Sequence, residues 1–365
     1  MKLGLSASAA AVLGVSLAAC TGEIRGVEDD ASPRDAIVRM DVVSPPDAHE
    51  VETDTGAGTD TSAPIDAPPV SDRICEPWPG GVDRYDQSVA PIEILPESAD
   101  ATAIVLIAGP SSAHPGGQHE FFAGMAILAH VLCETEGVVP ILVRDGWPAD
   151  ERVLHRADSI VLYADGGSSH PLADAARRAS LARQLDRGVG LVAVHYAVEP
   201  SVEWAEILRG WLGGVYEPGY SVNPLWRARY EGFPEHPSTR GLAAFDIDDE
   251  WYFGIRFVED TSRVTPILAA VPPDDRRTTP ETMAHPGRSE TTAWAFERSG
   301  GGRSFAFTGG HWHGNWGDSS DTPFAVMQRR VIAQAALWTA GVEIPLGGAP
   351  APLDPALGGL WLDRR

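Results

Sequence analysis

The sequence has 365 residues, of which 28 are basic and 51 acidic, and its formal net charge is −23. Lys2 is the only lysine, so the chain beyond residue 19 has 27 arginines against 51 acids, a charge of −24. Phosphate backbones and anionic lipid headgroups bind basic faces, so this charge argues against nucleic acid as a partner and against electrostatic attachment to a membrane.

The first 19 residues are typical of a secretion signal. Lys2 is followed by the apolar stretch Leu3–Ala19, which is too short to remain as a membrane anchor. The stretch ends in Leu17-Ala18-Ala19-Cys20, which resembles the lipobox of bacterial lipoproteins, although ordinary cleavage beside an incidental cysteine is the alternative. We therefore predict an exported protein, lipid-anchored to the membrane through Cys20. The outer membrane is favoured because no Asp follows Cys20 directly.

Residues 20–74 are predicted to form a disordered acidic tether. Thr21–Arg73 contains 13 acids, 4 arginines and no aromatic residue, so it cannot bury enough apolar surface to offset the entropy of ordering. One globular domain is predicted over residues 75–346, followed by an irregular tail at 347–365. Cys75 and Cys133 either form a disulfide, which an exported compartment permits, or remain as two buried thiols.

Within the predicted domain, apolar runs alternate with segments of helical spacing. Strands are predicted at Ala103–Ala108, Val138–Val143, Ser159–Tyr163 and Gly190–His195, and helices at His119–Glu134, Leu172–Arg187 and Val202–Leu212. Shorter strands follow at Trp226–Tyr230, Phe245–Ile247, Trp251–Phe257, Val264–Ala269, Thr292–Phe296 and Ser304–Thr308, before a last helix at Pro323–Ala340. This order predicts an α/β fold, a doubly wound and mostly parallel sheet with added β segments.

Titratable side chains follow the predicted strands. His114 and His119 come after the first strand, and Asp165 and His170 come after the third. Ligands of doubly wound sheets bind beyond the carboxyl ends of the strands, so these residues are candidates for a site. The alternatives are a surface loop for His114, a helix cap for His119 and a plain turn for Asp165.

The fourth predicted strand ends at His195, where hydrolases and amidotransferases of similar architecture carry a nucleophile. No cysteine lies nearby in sequence, so His195 is predicted to act as a base, a metal ligand or a hydrogen-bond donor to substrate. Three acids, Asp248, Asp249 and Glu250, open a later strand that continues into Trp251-Tyr252. At least one of the three is expected to face solvent.

A histidine pair closes the series of motifs. His311 and His313 are two residues apart, which places both on one side of an extended segment. Such a pair can bind Zn²⁺ with a third ligand from elsewhere, or donate hydrogen bonds to sugar hydroxyls. Trp312 and Trp316 lie beside glycines and could stack on a sugar ring, although buried tryptophans more often belong to a core.

Taken in order, these motifs resemble the trehalose-utilisation (ThuA-like) family over about residues 95–346. The resemblance is carried by Gly109–Gly124, Tyr163–Gly167 with His170-Pro171, Gly188–Val192 with His195, His236-Pro237 with Arg240–Leu242, Asp249–Tyr252, Gly301–Phe305 with Gly309–His313, and Leu337–Val342. It implies a flavodoxin-like fold of the class I glutamine amidotransferase type without the amidotransferase cysteine. It also implies a role in sugar catabolism.

We therefore expect a carbohydrate as the ligand, processed by hydrolysis or by isomerisation or elimination of an oxidised sugar such as a keto-disaccharide. The alternative is a non-catalytic surface module that binds sugar. His195 and His119 are predicted to transfer protons, oriented by Asp165 or Glu250. The predicted substrate contacts are His114, His170, Trp312, Trp316 and Tyr252, and His311 with His313 is predicted to bind substrate or a divalent metal such as zinc.

Overall fold

The computed structural model describes residue 75, residues 90–110, residue 114, residues 118–313 and residues 323–351. All of them belong to one compact unit, Pro64–Arg365. The predicted signal peptide, Cys20, the tether up to residue 74 and Trp316 lie outside the described residues. Among the described residues, no helix is both long enough and apolar enough to cross a membrane.

Strands and helices alternate along the first half of the domain, and strands prevail in the second half. The strands are β1 (Thr102–Ala108), β2 (Val138–Val143), β3 (Ser159–Tyr163), β4 (Gly190–Val194), β5 (Gly214–Val215), β6 (Leu225–Tyr230), β7 (Phe245–Glu250), β8 (Arg256–Phe257), β9 (Val264–Ala270), β10 (Glu290–Glu297) and β11 (Arg303–Phe307). The helices are α1 (Phe121–Cys133), α2 (Arg152–Arg156), α3 (Ala175–Asp186), α4 (Ala205–Leu212), α5 (Pro280–Met283) and α6 (Pro323–Thr339).

A seven-stranded sheet forms the centre of the domain. Its order is β2-β1-β3-β4-β11-β10-β9, and the pairs from β2 to β11 are parallel, whereas β10 is antiparallel to both of its neighbours. With β11 in fifth place, the sheet begins with the 2-1-3-4-5 order of flavodoxin-like folds. The predicted α/β fold with a mostly parallel, doubly wound sheet is therefore confirmed. Two short pairs, β5–β8 and β6–β7, are the added β segments.

Both faces of this sheet are covered, which explains the continuous apolar runs in its strands. In β1, Ile104 and Leu106 pack into the core that contains α1 and α6, whereas Val105 and Ile107 pack into the core that contains residues of α2, α3 and α4. The side chains of β1 alternate between these two cores because successive residues of a strand point to opposite faces of the sheet. In β1 to β4, polar side chains are confined to the first residue of a strand and to the loops.

The structure differs from the prediction for Trp251–Phe257. Only Arg256–Phe257 forms a strand there, and Phe253 makes a single isolated bridge with Val222. Gly254 has a φ of +67°, which turns the chain out of extended geometry. Trp251, Tyr252 and Phe253 are all buried, so the segment lacks the alternation of a half-buried strand. The segment is apolar because its side chains are buried in the interior, and not because it pairs with the sheet.

A disulfide joins Cys75 to Cys133 at the end of α1, with 5.5 Å between the Cα atoms. Of the two alternatives that the sequence left open, the structure contains the bridge. It closes a loop with a sequence separation of 58 residues. Restricting the unfolded chain by such a loop stabilises a domain by about 4 kcal/mol in the chain-entropy model. The segment that leads into the domain is thereby fixed to its first helix.

Candidate functional site

His195 stands at the end of β4, where the chain turns sharply into the one-turn helix His195–Val198. Its φ is +55°, a strained left-handed conformation for a residue with a side chain. The ring is fixed by a 2.7 Å hydrogen bond from Nδ1 to the carbonyl of Thr308, which directly follows the neighbouring strand β11. Gly310 makes room for this ring, because a Cβ there would lie 2.4 Å from it. The backbone thus presents Nε2 of His195 to the space beyond the sheet.

His119 and Asp165 reach the same space from β1 and β3. Nε2 of His119 lies 3.2 Å from Nε2 of His195, and its Nδ1 lies 3.6 Å from Oδ1 of Asp165. The side chain of His114 is 42% exposed, and its Nε2 lies 4.0 Å from the same carboxylate oxygen. His119 and His195 are 76 positions apart in the chain. They meet in one cluster because parallel strands end at the same edge of the sheet.

Glu250 and Tyr252 approach His195 from the end of β7. Oε2 of Glu250 lies 3.4 Å from Nε2 of His195, and the Tyr252 hydroxyl lies 3.3 Å from the same nitrogen. The second carboxylate oxygen of Glu250 accepts a 3.1 Å hydrogen bond from the amide of Asn223. Tyr252 is buried, whereas the Glu250 side chain is 22% exposed and forms part of the opening to solvent.

His311 is held by Asp249, a carboxylate with no exposed surface. Nδ1 of His311 donates a 2.5 Å hydrogen bond to Oδ1 of Asp249, and the Gln328 amide donates a 2.7 Å bond to Oδ2. Backbone N–H groups of Glu250, Gly310 and His311 also donate to this carboxylate. Asp249 thus accepts five hydrogen bonds, one of which fixes the orientation of the His311 ring.

Burial and charge set the protonation of the cluster. Burial lowers the pKa of His119 to about 4, although the nearby Asp165 carboxylate opposes the shift. Burial also acts to lower the pKa of His195, but Glu250 and Asp249 outweigh it and raise that pKa above its ordinary value. Burial would raise the pKa of Glu250, yet the hydrogen bond to His195 holds it below its usual range. His119 is therefore neutral near pH 7, whereas the surroundings of the neighbouring His195 favour a protonated ring.

Glu199 lies at the rim of the cluster, one residue beyond the turn that carries His195, and is half-buried. Burial, together with the nearby charge of Glu250, raises its pKa to about 7. Burial likewise raises the pKa of Tyr216 to about 12, with Glu199 adding to the shift. A carboxyl group that titrates near neutrality beside a buried cluster is a candidate for proton transfer.

Three predicted site residues are placed elsewhere or in other roles. His170 is buried, accepts a hydrogen bond from the N–H of Leu172 through Nδ1 and donates one from Nε2 to Ala197, so it caps a turn. Nε2 of His313 donates to the carbonyl of Gln118, and the turn at Trp312-His313 breaks the extended geometry that was expected to align His313 with His311. Trp312 has no exposed surface and packs against Tyr163, so it belongs to the core.

The structure brings together His114, His119, Asp165, His195, Glu250, Tyr252 and His311 of the predicted set. It adds Asp249, Thr308, Gln328 and Glu199, whose roles the sequence analysis missed. A signal for Asp249 was present, because alternation along β7 places it on the buried face with Phe245 and Ile247. Glu199 follows His195 by four positions, which was the one local sign of its place, whereas Thr308 and Gln328 contact residues from distant parts of the chain and carry no comparable signal.

Four of these residues form a group with the composition of a metal site. His119, His195, His311 and Glu250 each bring one nitrogen or oxygen atom within 4.8 Å of the others. His114, His119 and Asp165 form a second, overlapping group. Imidazole and carboxylate are the donors that zinc and related divalent ions take in proteins.

Comparison with known proteins gives one family match and several distant structural neighbours. A family model described as ThuA, trehalose utilisation, matches residues 113–339, more than half of the chain. A ThuA-like protein from Bacteroides uniformis is 17% identical with a TM-score of 0.44, covering 67% of this chain and 94% of its own.

PurLQS from Thermotoga maritima is 16% identical with a TM-score of 0.35, covering 66% of this chain and 97% of its own. A glutamine amidotransferase from Methylobacillus flagellatus is 15% identical with a TM-score of 0.31, covering 67% and 93%. No curated protein matches the sequence.

Proposed function

Since the chain belongs to the ThuA, trehalose-utilisation, family, we propose that it is an enzyme that acts on a carbohydrate at the histidine–carboxylate cluster. The observation that carries this proposal is the convergence of His119, His195, His311 and Glu250 on one point beyond the carboxyl ends of the strands. Groups that serve only to fill a core do not require three imidazoles aimed at one point beside a partly exposed carboxylate.

The cluster and its rim supply the two things that sugar chemistry requires. Hydroxyl groups and carbon atoms next to a carbonyl are weak acids, so turnover needs a group that accepts or returns a proton near neutral pH. Glu199, which is half-buried and close enough to Glu250 and His195 to interact with their charges, meets this requirement with a pKa of about 7. The buried cluster stabilises charge that develops on a substrate oxygen, because its imidazoles are fixed and largely shielded from water.

The reaction is hydrolysis, or isomerisation or elimination of an oxidised sugar such as a keto-disaccharide. Isomerisation and elimination remove a proton from the carbon next to a carbonyl, whose oxygen gains negative charge, whereas hydrolysis needs a proton delivered to the leaving oxygen and one removed from the attacking water. His114 and Tyr196 lie beside the cluster, and both are partly exposed. They are positioned to contact sugar hydroxyls.

A product assay with the full chain tests this proposal. The substrates are trehalose, other disaccharides and their 3-keto forms, and the products are separated by chromatography. We expect one substrate to be consumed, with turnover falling by about 10²–10⁴-fold in Glu199→Gln. The exposed His155 supplies the control, His155→Gln, which should retain wild-type turnover. Calorimetric binding of a sugar without product formation would contradict the enzyme and support the sugar-binding module instead.

We propose further that the protein works outside the cytoplasm, lipid-anchored through Cys20. The apolar N-terminal stretch that ends at Cys20 supports this location, as does the Cys75–Cys133 disulfide, because such bridges persist in oxidising compartments. Fractionation of cells that express the chain tests the proposal. Wild-type protein should remain with the membranes, whereas a Cys20→Ala variant should not, and equal distribution of the two would count against lipidation.

A further inference from the structure

We propose that His119, His195, His311 and Glu250 bind one divalent transition-metal ion of the zinc type. The inference concerns the cluster already described and rests on the proposed function only for the chemical use of the ion. Binding itself is argued from geometry. When bound, such an ion supplies Lewis-acid polarisation of a substrate oxygen.

The spacing of the ligand atoms fits an ion after only small shifts within the cluster. A tetrahedral zinc ion with bonds of about 2.0–2.1 Å holds its ligand atoms about 3.3–3.4 Å apart. Nε2 of His119 and Nε2 of His195 are 3.2 Å apart, and Nε2 of His195 is 3.4 Å from Oε2 of Glu250. All four ligand atoms lie within 4.8 Å of one another, so small movements of His311 complete the set.

In His195 and His311 the second ring nitrogen is oriented by a hydrogen-bond partner, which is the usual arrangement behind metal-binding imidazoles. Nδ1 of His195 donates to the Thr308 carbonyl, and Nδ1 of His311 donates to the Asp249 carboxylate. Nδ1 of His119 faces Asp165 at 3.6 Å. In the neutral rings of His195 and His311, these two hydrogen bonds favour the tautomer with the proton on Nδ1 and the lone pair on Nε2.

The surrounding charge also favours a cation. Asp165, Asp249 and Glu250 all lie against the imidazoles, and Asp249 has no exposed surface. Besides His311, the partners of Asp249 are the neutral Gln328 amide and backbone N–H groups. An ion bound by the three imidazoles and Glu250 would balance carboxylate charge at the place where burial makes it most costly.

This set differs from the His311–His313 pair that the sequence suggested. Nε2 of His313 donates to the Gln118 carbonyl, and its ring centroid lies 6.2 Å from that of His311. His311 instead combines with residues from β4, β7 and the segment before α1. The sheet, rather than the two-residue spacing, selects the ligands.

The test measures metal binding in the absence of any sugar. The full chain is dialysed against a chelator and titrated with zinc chloride in a calorimeter, and cobalt chloride is added to a second sample for visible absorption. We expect one ion per chain and a cobalt spectrum typical of nitrogen and oxygen ligands in a tetrahedral or five-coordinate site. We also expect that His311→Ala weakens binding by at least about 100-fold.

Two further variants keep the test decisive. Glu250→Gln replaces a ligand with a neutral amide of similar shape and should weaken zinc binding even if His311→Ala does not fold. His170→Gln, in a buried histidine outside the cluster, should bind zinc as the wild type does. Zinc binding that survives His311→Ala and Glu250→Gln unchanged overturns the proposal, as does wild-type protein that binds no ion. Failure here leaves sugar turnover untouched, and failure of the product assay leaves metal binding untouched.

Discussion

Two settings of histidine can be compared in the described part of the chain, the cluster at the carboxyl ends of the sheet and two His-Pro turns. The turns are His170–Ala173 and His236–Thr239, and in each the histidine caps a one-turn helix with proline in first position. Nδ1 of the histidine accepts a hydrogen bond from the N–H two residues later, from Leu172 in one turn and Ser238 in the other.

The two settings differ in the number of residues that separate each histidine from the partner of its Nδ1 atom. In the turns the partner of Nδ1 is two residues away, so the ring serves its own loop. In the cluster, His195 is held by Thr308, 113 positions away, and His311 by Asp249, 62 positions away. These distant partners hold the two rings beside His119 and Glu250, so that side chains from separate elements meet at one place.

The largest expected effect comes from breaking the support of the cluster without touching a ligand. Asp249→Ala removes a fully buried carboxylate that accepts hydrogen bonds from His311, Gln328 and three backbone N–H groups. The donors would remain buried without an acceptor, so we expect the free energy of unfolding to fall by about 3–5 kcal/mol. Urea unfolding followed by tryptophan fluorescence measures the change.

The neighbouring residue Asp248 provides the control for this variant. Its side chain is 51% exposed and its ion pair with Arg227 lies at the surface. Asp248→Ala should therefore cost less than about 1 kcal/mol. Equal losses in the two variants would mean that Asp249 contributes no more than a surface charge, and the contrast between cluster and surface would be lost.

The His-Pro turn predicts a smaller effect, which depends on pH. Burial lowers the pKa of His170 to about 4 from an ordinary value of 6.5. The unfolded chain therefore takes up a proton below pH 6.5 while the folded chain does not, and stability falls as the pH drops towards 4. The loss from this residue amounts to about 3 kcal/mol.

Denaturant unfolding at pH 7, 6, 5 and 4 measures this contribution as a difference between proteins. His170→Gln should lose about 3 kcal/mol less than the wild type over that range, because it has no imidazole to protonate. His155→Gln, in an exposed histidine of α2, should follow the wild-type profile. Parallel profiles for the wild type and His170→Gln would show that the turn tolerates a charged ring.

The two settings also explain how far the sequence could be read. The order of strands and helices follows from local apolar patterns, and therefore β2 and β3 have the predicted bounds. His119, His195 and Asp165 were found because parallel strands end at one edge, which is a property of the fold. His170 was misleading because the same loop position also suits a cap, and the proline after it was the local sign of that role.

Roles that depend on packing between distant elements were beyond the sequence. Nothing near Gln328 or Thr308 indicates that one holds Asp249 and the other holds His195. His313 fell outside the cluster because a single turn at Trp312-His313 changes the direction of the ring. A pattern can therefore nominate the residue types at an edge, whereas the partners that orient them are visible only in the folded chain.

The smallest expected effect concerns Asn223, whose amide binds the Glu250 carboxylate oxygen that does not face His195. Its amide donates a 3.1 Å hydrogen bond to Oε1 of that carboxylate, and the residue is exposed. Asn223→Ala removes one hydrogen bond worth about 0.5–1.5 kcal/mol, so we expect kcat/KM or zinc affinity to fall by about 2–10-fold. The free energy of unfolding should fall by less than about 1 kcal/mol, because the Glu250 carboxylate is partly exposed and the Tyr216 hydroxyl loses only a long 3.5 Å hydrogen bond to Oδ1 of Asn223.

The exposed Arg229 on β6 allows a matched control, because its side chain pairs with Glu231 and not with the cluster. Arg229→Ala should leave both turnover and zinc affinity unchanged. An Asn223→Ala variant with wild-type values would mean that His195 alone orients Glu250. In that case only the buried members of the cluster would be fixed by distant partners. The partly exposed Glu250 carboxylate would then be able to move when substrate enters.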